Sequence, residues 1–485
     1  MNRRNFSRNL LILGSAARSA GAAPYQSQAP QEYYDEPAKR LPARRFDVVV
    51  AGGGTAGVVA ALAAARQGAK TALIESKGYT GGTVVEGGTC LHSFFNLWKA
   101  FPGVAKRQVV RGIPQDIVDR LIKAGGTSGH AEMSMGYDYD SVCTAIDTEI
   151  YKLVTMEMLE EAGVSVCVNT LLAGAIRDGS RIKGVITENH SGREAVWAKA
   201  FVDTTGYGDL CSRAGAKYTE PNDYPVVNSI GLANVSLEKY YEFLKAHEAL
   251  SSYAEGVRDG VAGRIVRLDG RAVRLPQEFA DAVRENDIAL TVTTVHDNYF
   301  MFLKVGVKLP VSPTNRDAVA KGELEIRRRQ ARAVALFRKH IPGCEKAFIA
   351  RTSPALNIRR ARVVACDYDI SRSDVLEGKH FDDDIMAYGF HDMAPRLQVR
   401  NGGTYGIPYR ALRVAGIDNL LAAGMMITSN HDAHMSTRNT VAAMGQGQGA
   451  GAAAALCAAR TLGTRDLAYT DLRQALLKGG VHLEN

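Results

Sequence analysis

The chain has 485 residues, 46% hydrophobic, 23% charged and 7% aromatic, which excludes a disordered or collagen-like protein and predicts two or three structural units. No stretch approaches the roughly 20 apolar residues of a membrane-spanning helix, so we expect no membrane span. The net charge is +8, and four of the arginines that contribute to it lie within the first 22 residues. A second cluster, Arg327, Arg328, Arg329 and Arg332, is interpreted as a solvated helix face because no aromatic or glycine-rich recognition motif accompanies it, so we expect no nucleic-acid partner.

Residues 1–22 have the composition of a targeting segment. The pattern combines arginines, an apolar run and small terminal residues: Arg3, Arg4, Phe6, Arg8, 10–13 and 20–22. It resembles a twin-arginine export signal cleaved after Ala22, which predicts an exported, periplasmic protein that uses the export machinery. A mitochondrial transit peptide and a basic cytoplasmic tail are the alternatives. Residues 23–44 are rich in proline and are predicted to form a linker.

A dinucleotide-binding pattern begins at Arg45. The apolar run 46–51 predicts a buried parallel strand, and it leads into a G-x-G-x-x-G loop at 52–57. An alanine-rich helix over 58–67 and a second buried strand over 71–75 follow, and this strand ends in an acid. Strand, glycines, helix and acid therefore occur at the spacing of a dinucleotide-binding unit.

Each glycine of this loop has a mechanical role, and so does the acid. Gly52 allows the tight turn, Gly54 lets the backbone approach a pyrophosphate, and Gly57 lets the helix pack closely on the strand. The helix N-terminus offers unpaired N–H groups to the phosphates. Glu75, 18 residues after Gly57, can accept hydrogen bonds from ribose hydroxyls.

Three later segments indicate a dinucleotide longer than a nicotinamide cofactor. A Gly81-Gly82 pair follows Glu75 closely, and strand-turn units occur at 200–206 and 418–424. The last unit leads into a Gly/Ala-rich helix within 440–455, whose N-terminus we expect near Gly445-Gln446. A ribose site near the N-terminus, with a strand and helix returning to the same ligand near the C-terminus, suits FAD.

With these segments the sequence resembles the bacterial FAD-dependent oxidoreductase family of glutathione-reductase-like flavoproteins. The resemblance covers roughly Arg45 to Cys457. It is carried by ordered blocks at 47–83, 109–121, 158–170, 201–216, 373–385, 405–412 and 419–449. The turn Thr204-Thr205-Gly206 departs mildly from the A-T-G of the family.

The resemblance implies FAD as cofactor and a set of contacts to it. The loop glycines hold the pyrophosphate, Glu75 the ribose and Gly81-Gly82 the flavin end, while the helix at Gly445-Gln446 faces the pyrimidine edge of the flavin. The implied FAD contacts are Gly52, Gly54, Thr55, Ala56, Gly57, Glu75, Ser76, Gly81, Gly82, Thr83, Val168, Thr205, Gly206, Asp209, Gly424, Gly445 and Gln446.

Candidate catalytic groups cluster in the segment 431–438, which the resemblance places near the flavin. A neutral histidine suits removal of a proton while hydride leaves for flavin N5, so we assign His431 as the base. His434 is an addition to the substrate site in this interpretation, and for both histidines the alternative is a structural role in a loop. The full candidate set is His431, His434, Arg438, His391, Arg359 and Arg362.

The sequence predicts no metal site and no disulfide framework. His431 and His434 form an H-x-x-H pair, but a third clear ligand is missing. The seven cysteines are scattered and contain no C-x-x-C pair. Cys90 and His92 follow the Gly81-Gly82 turn closely enough that a covalent flavin link is an alternative to non-covalent FAD.

The expected fold class is α/β: a discontinuous, Rossmann-like FAD-binding domain with a parallel sheet, and an α+β domain that caps the substrate site. The FAD-binding domain is assigned to 45–95, 145–216 and 400–460. The substrate or cap domain is assigned to 96–144 and 217–399, and 461–485 is a C-terminal segment.

The resulting functional hypothesis is hydride transfer between a small polar substrate, such as a carbohydrate or hydroxy acid, and flavin N5. A reductase of carbon–carbon double bonds, with Arg438 or Arg359 as proton donor, is an alternative within the same fold. A non-catalytic FAD-binding protein is the alternative from another class. The electron acceptor is unassigned, and the lack of a second complete G-x-G-x-x-G motif disfavours a tightly bound NAD(P)H.

Overall fold

The computed structural model describes residues 32–88, 90–96, 104–135, 142–389 and 399–484. The predicted targeting segment and His391 lie outside these residues. The chain divides into two units, Met1–Arg40 and Leu41–Asn485. The described part of the first unit is exposed and contains neither helix nor strand.

A parallel sheet lies within the second unit. Its strands, in spatial order, are β23 (Leu420–Ala422), β11 (Ala200–Asp203), β2 (Val48–Ala51), β3 (Thr71–Ile74) and β7 (Ser165–Cys167). All except the edge strand β7 are fully buried, because both faces of the sheet are covered. The two strands predicted around the glycine loop are therefore present, each within two residues of its predicted bounds.

Two long helices pack against each other beside this sheet. They are α1 (Thr55–Arg66) and α11 (Thr440–Arg460). A Cβ on Gly447 would lie 2.2 Å from the carbonyl oxygen of Ala56, and one on Gly451 would lie 2.1 Å from that of Ala60. The small residues of both helices therefore allow backbone-to-backbone contact. The other helices of this core are α3 (Ile113–Lys123), α4 (Thr148–Glu161) and α12 (Tyr469–Lys478).

A second, mostly antiparallel sheet is formed by β1 (Ala43–Arg45), at the start of the second unit, and by three strands that follow β7. Its spatial order is β1, β10 (Gly192–Trp197), β9 (Arg181–Asn189) and β8 (Leu171–Asp178). Only the pair β1–β10 is parallel. The buried amide of Asn419, just before β23, bonds both backbone groups of Ile182 and so ties this sheet to the parallel one.

A large sheet, called the cap sheet below, is built mostly from segments that the sequence analysis assigns to the cap. Its spatial order is β19 (Phe348–Thr352), β13 (Val226–Ala233), β18 (Tyr299–Val307), β17 (Val292–Thr293), β15 (Val261–Gly270), β14 (Leu250–Arg258), β5 (Ala131–Met135), β6 (Val142–Thr144) and β4 (Leu91–His92), with β16 (Ile288–Ala289) beside β18. Helices α6 (Leu237–Ala246), α7 (Gln277–Glu285) and α8 (Arg316–His340) share its hydrophobic core, in which Phe337 contacts the rings of Tyr240 and Phe279.

Short elements complete the described part of the chain. They are α2 (Thr83–Gly87), α5 (Asp209–Arg213), α9 (Arg372–Leu376), α10 (His431–Thr437), the strand pairs β12 (Tyr218–Thr219) with β20 (Val363–Val364) and β21 (Asp384–Tyr388) with β22 (Tyr405–Pro408), and 3-10 turns at Ala272–Arg274 and Tyr409–Ala411.

The hydrophobic packing groups several segments differently from the predicted domain bounds. Helix α3 and residues 385–388 pack into the same hydrophobic cluster as the parallel sheet, although the sequence assigns them to the cap. Conversely, β4 lies in the cap sheet. The packing partner of a short apolar run depends on the tertiary structure, so the sequence pattern alone does not reveal it. In the described part of the chain, no helix is long and apolar enough to cross a membrane.

Candidate functional site

The glycine loop between β2 and α1 is shaped by close backbone contacts. Gly52 has φ +96°, and a Cβ there would lie 2.7 Å from the carbonyl oxygen of Thr204. A Cβ on Gly57 would lie 1.8 Å from the carbonyl oxygen of Gly52. Both positions therefore require glycine, as the dinucleotide-binding role predicts.

The first turn of α1 is arranged to receive an anion. Its N-cap residue, Gly54, makes no side-chain cap, and the first turn, which begins with Thr55 and Ala56, contains no acidic residue. The leading N–H groups of the helix therefore remain available, and the positive end of the helix dipole is uncompensated. These features fit the pyrophosphate of a dinucleotide.

Glu75 lies at the rim of the same loop. It directly follows β3, is 8% exposed, and accepts hydrogen bonds from the N–H of Gly53 at 2.6 Å and of Lys77 at 2.8 Å. The hydroxyl of Ser76 donates to the same carboxylate at 3.1 Å. Val168 follows the neighbouring strand β7, so it lies at the same carboxyl edge of the sheet. The acid is thus held in place by the backbone before any ribose binds.

The Gly81-Gly82-Thr83 turn packs against the glycine loop and is hydrogen-bonded to it. The N–H of Gly81 donates to the carbonyl of Gly53 at 2.9 Å, and the hydroxyl of Thr55 donates to the carbonyl of Gly81 at 3.3 Å. A Cβ on Gly82 would lie 2.8 Å from Cα of Gly54. The structure therefore brings together two segments that are about 30 residues apart in the sequence.

The turn after β11 is the third segment that borders the candidate cofactor site, beside the glycine loop and the Gly81-Gly82-Thr83 turn. Buried Asp203 accepts hydrogen bonds from the N–H and hydroxyl of Thr205, at 3.0 and 2.8 Å. Gly206 lies beside Met425, and Gly424 lies over the side chain of Ala56 at the start of α1. The predicted contacts on the three strands β2, β11 and β23 therefore converge at one edge of the parallel sheet.

The prediction that α11 begins near Gly445-Gln446 is wrong, because the helix begins at Thr440. Gln446 is buried, and its amide accepts from the N–H of Gly424 and donates to the carbonyl of Thr437, both at 2.7 Å. A Cβ on Gly445 would lie 2.5 Å from the sulfur of Met386. Gln446 therefore positions the loop after β23, and the helix end that faces the site is Thr440, which has no side-chain cap and no acid in its first turn.

Arg362 and Asp209, which the sequence assigns to different roles, bind each other. Arg362 pairs with Asp209 at 3.0 Å and with Glu220 at 3.2 Å, and it donates to the carbonyl of Tyr207 at 3.0 Å. Asp209 also pairs with Arg213. Burial by itself lowers the pKa of Arg362, but the neighbouring carboxylates raise it more, so the net shift of this pKa is upward. These contacts hold α5 and the turn before it, and they favour a structural ion pair for Arg362 over the substrate contact that the family resemblance implies as the alternative.

His431 forms a dyad with a residue that the sequence analysis missed. Its Nδ1 lies 2.9 Å from Oδ2 of Asp223, and its side chain is 49% exposed. The same oxygen accepts a 2.6 Å hydrogen bond from Arg360, whose side chain is 1% exposed. Partial burial raises the pKa of Asp223, but the bonds from His431 and Arg360 outweigh it and the net shift is downward. The carboxylate is therefore ionised and orients the imidazole.

The side chain of Tyr224 packs against the candidate catalytic segment 431–438. Its ring stacks on that of His431, with centroids 4.7 Å apart and planes 16° from parallel. The guanidinium of Arg438 lies 5.6 Å from the centre of the same ring. The hydroxyl of Tyr224 lies 3.1 Å from Nδ1 of His434. Tyr224 therefore connects three of the six predicted catalytic residues.

His434 is buried and hydrogen-bonded through both ring nitrogens, which favours the structural alternative over a place in the substrate site. It is 0% exposed, and its Nε2 lies 2.8 Å from the carbonyl oxygen of Met425. Because a carbonyl only accepts, Nε2 carries the proton and Nδ1 accepts from Tyr224. Burial, helped by the charges of Arg360 and Arg438, lowers the pKa of His434 well below its ordinary value. The imidazole is therefore neutral and holds α10 against the loop after Gly424.

The other candidates are placed as follows. Arg359 is half-buried next to Arg360. Cys90 is buried with Met133, Cys143 and other residues of a small apolar cluster, and His92 lies 3.2 Å from Arg267. No disulfide joins cysteines in the described residues, and no group of three His, Cys, Asp or Glu side chains there is arranged to hold a metal ion.

Asp223, Tyr224 and Arg360 are the site residues that sequence reasoning missed. Asp223 and Tyr224 are about 210 residues before His431, in a Pro-Asn-Asp-Tyr-Pro segment without a recognisable motif. Arg360 stands in the Asn357–Arg362 stretch that contains Arg359 and Arg362, so the signal for an arginine was present. Only the burial of its side chain shows which arginine of the stretch makes the pair.

Comparison with known proteins identifies the family. The model of the family "FAD dependent oxidoreductase" matches residues 47–476, and the chain belongs to this family. The protein is therefore an FAD-dependent oxidoreductase with FAD as its cofactor, and its fold class is the predicted one.

Solved structures match the chain at low sequence identity. A geranylgeranyl bacteriochlorophyll reductase-like protein from Thermoplasma acidophilum matches with a TM-score of 0.46 and 13% identity, over 90% of this chain and 83% of the other. A p-nitrophenol 4-monooxygenase from Pseudomonas putida DLL-E4 matches with a TM-score of 0.43 and 12% identity, over 90% and 84%. At these values the likenesses say nothing about the substrate.

Proposed function

We propose that this member of the FAD-dependent oxidoreductase family transfers a hydride between a small polar substrate, such as a carbohydrate or hydroxy acid, and N5 of the flavin that it binds. The observation that carries the proposal is the Asp223–His431 dyad, whose imidazole is half exposed while its carboxylate partner is anchored by buried Arg360. A protein that only stored FAD would have no need of an oriented, accessible base.

The dyad determines which nitrogen of His431 acts. The ionised carboxylate of Asp223 accepts the hydrogen bond from Nδ1, so Nδ1 carries the proton and Nε2 keeps its lone pair. Nε2 is then the atom that takes the hydroxyl proton of the substrate while the hydride leaves the adjacent carbon. The imidazolium that results is stabilised by the carboxylate 2.9 Å away.

Positive charge at the junction of α10 and α11 supports the same chemistry. Arg438 is the C-cap residue of α10, and two residues later α11 begins at Thr440 with an uncapped N-terminus. The guanidinium and the positive end of the α11 dipole therefore lie in one loop, where they stabilise negative charge on a bound group. This arrangement also suits an anionic substrate.

Anaerobic mixing of the purified holoenzyme with a panel of sugars and hydroxy acids tests the proposal. We expect at least one compound to bleach the oxidised flavin absorbance, and His431→Asn to slow that bleaching by about 10²–10⁴-fold while FAD stays bound. His190→Asn, an exposed histidine in the turn after β9, is the matched control and should bleach at the wild-type rate.

Other outcomes separate the alternatives. If no compound bleaches the flavin but an α,β-unsaturated carbonyl reoxidises the chemically reduced enzyme, the double-bond reductase is the correct interpretation. If neither reaction occurs in the FAD-loaded protein, the hydride-transfer proposal is wrong and the flavin is structural.

We also propose that the protein is exported by the twin-arginine route. The proposal rests on the arginine pair and apolar run within 1–22, and export of a folded protein is consistent with loading of a cofactor before transport. Replacing Arg3 and Arg4 together by lysine should leave the protein in the cytoplasm; unchanged export would contradict the proposal.

A further inference from the structure

Helix α2 connects the Gly81-Gly82-Thr83 turn to the cap. This turn is called the flavin-side turn, because the family resemblance assigns it to the flavin end of FAD. Helix α2 is five residues long and begins at Thr83, directly after Gly81-Gly82. A helix this short is not stable by itself, so its position depends on tertiary contacts. Its last residues are buried, and their carbonyl groups need donors from elsewhere in the protein.

The cap sheet supplies these donors. Arg351 on β19 donates through Nη2 to the carbonyl of Val85 at 2.7 Å, and the hydroxyl of Ser353 donates to that of Glu86 at 2.6 Å. The hydroxyl of Thr293 on β17 donates to the carbonyl of Gly88 at 2.9 Å. Three contacts from the cap, to Val85, Glu86 and Gly88, therefore hold the C-terminal end of α2.

Arg351 also reaches a second helix. Its Nη1 donates to the hydroxyl of Thr148, the first residue of α4, at 2.7 Å. One planar guanidinium thus bridges the end of α2 and the start of α4. Among the described residues no carboxylate pairs with Arg351, so its charge stabilises the negative end of α2.

The stem of Arg351 is fixed as well. A Cβ on Gly231 of β13 would lie 2.7 Å from Cγ of Arg351, so the glycine leaves room for the arginine chain to cross the sheet. Ser353 is equally constrained, because its oxygen accepts from the N–H of Ser229 at 3.2 Å and the amide of Asn357 at 3.1 Å. Both donors are thus rigidly presented by the cap.

The other end of α2 lies against the cofactor loop. The Gly81-Gly82 turn is bonded to Gly53 and leaves no room for a Cβ beside Gly54. A displacement of α2 by even a fraction of an ångström would therefore move the turn relative to the loop at the N-terminus of α1, since Val85, which accepts from Arg351, is only a few residues after Gly82.

We propose that Arg351, assisted by Ser353, is a positioning residue through which the cap sheet fixes the flavin-side turn Gly81-Gly82-Thr83. The inference rests on the assignment of this turn to the flavin end of FAD, and it does not depend on the nature of the substrate. Lysine at position 351 would carry the charge but, as a single ammonium, would not span both α2 and α4.

The test compares FAD binding by full-length Arg351→Met, Arg351→Lys and Ser353→Ala variants with that of the wild type. Readouts are the FAD dissociation constant, the visible circular dichroism of the bound flavin and its midpoint potential. We expect Arg351→Met to weaken FAD binding at least tenfold and to change the flavin dichroism, Ser353→Ala to do so more weakly, and Arg351→Lys to recover part of the loss.

Two controls separate positioning from general destabilisation. Arg328→Met removes an exposed arginine of α8 and should bind FAD like the wild type. Phe337→Leu loosens the buried cap core without touching α2, and should lower the melting temperature while leaving the flavin dichroism unchanged.

Wild-type affinity, dichroism and potential in Arg351→Met would overturn the inference. If that variant does not fold, the FAD affinity and flavin dichroism of Arg351→Lys and Ser353→Ala decide the test. Values equal to those of Arg328→Met in both variants would overturn the inference as well. His431→Asn should bind FAD normally, so failure of the hydride-transfer proposal would appear in substrate reduction alone and not in these measurements.

Discussion

The imidazole of His296 lies between two carboxylates from different parts of the chain. Its Nε2 is 2.5 Å from Oδ2 of Asp147, the N-cap residue of α4, and its Nδ1 is 3.2 Å from Oδ1 of Asp259, in the turn between β14 and β15. Asp147 thereby links the cap to the helix that Arg351 also contacts. The contact between His296 and Asp147 therefore places a titratable group between the cap and α4.

Stability should depend on pH through His296. Partial burial lowers its pKa, but the bonds to the two carboxylates raise it more, and the net shift is upward. A histidine with a raised pKa stabilises the folded state fully below its ordinary pKa of about 6.5, and this contribution disappears as the pH rises through the raised value. We expect His296→Gln to lower the melting temperature by about 1–2 °C near pH 6 and by less at pH 9.

The two carboxylates set the lower limit of this window. The net pKa shift of Asp147 is downward, since the bonds from His296 and from the helix N-terminus outweigh its burial, and the backbone N–H of Asp297 lowers that of Asp259. Their contribution is therefore present above about pH 4 and disappears as the pH falls further. Thermal melts of His190→Gln at the same pH values are the control; an equal pH dependence in both variants would contradict the assignment.

Asp223→Asn should reduce substrate oxidation while FAD binding is unchanged. An amide can still accept from Nδ1 of His431, but it has no charge to stabilise the imidazolium and leaves the buried Arg360 without its carboxylate. We expect kcat to fall by about 10–10³-fold, less than in His431→Asn, with the loss in kcat and not in KM. A double variant that loses no more than His431→Asn alone would show that the two residues act as one unit; additive losses would contradict the dyad.

Two substitutions test the hydroxyl and the ring of Tyr224 separately. Tyr224→Phe leaves Nδ1 of buried His434 without a donor, so we expect it to lower the free energy of unfolding by about 1–3 kcal/mol and to change activity only a few-fold. Tyr224→Leu also removes the ring that stacks on His431, and should reduce activity tenfold or more. Equal activities of the two variants would show that the stack has no role in orienting the base.

Steric constraints on glycine predict which positions tolerate alanine. Gly57→Ala would put a methyl group 1.8 Å from the carbonyl oxygen of Gly52, and Gly447→Ala would put one 2.2 Å from that of Ala56. We expect each to destabilise the protein by about 1–3 kcal/mol or more and to abolish or strongly weaken FAD binding. Gly174→Ala, whose nearest neighbour would be 3.6 Å away, should bind FAD normally in the same titration.

The local sequence was enough to determine the cofactor loop, because its requirements are local. A buried strand, glycines at 52, 54 and 57 and an acid after the next strand are constrained by backbone conformation and close packing over about 30 residues. The resemblance carried by several such blocks led to the FAD-dependent oxidoreductase family, which the family match confirms. The sequence pattern predicts the start of α11 five residues too late, because Gly445 and Gly447 resemble a helix start. In the structure Gly445 instead gives room to Met386, and Gly447 allows close packing on α1.

The partners of the reactive groups were decided by the tertiary structure alone. Nothing near His431 in the sequence indicates that Asp223 holds one of its nitrogens, or that His434, three residues later, is buried against the carbonyl of Met425. Likewise, the bond between Arg351 and Val85 joins residues 266 positions apart. Hydrogen bonds and burial depend on which surfaces meet when the cap sheet packs on the cofactor-binding core, and that packing is a property of the whole chain, whereas a turn or a strand is specified by its own residues.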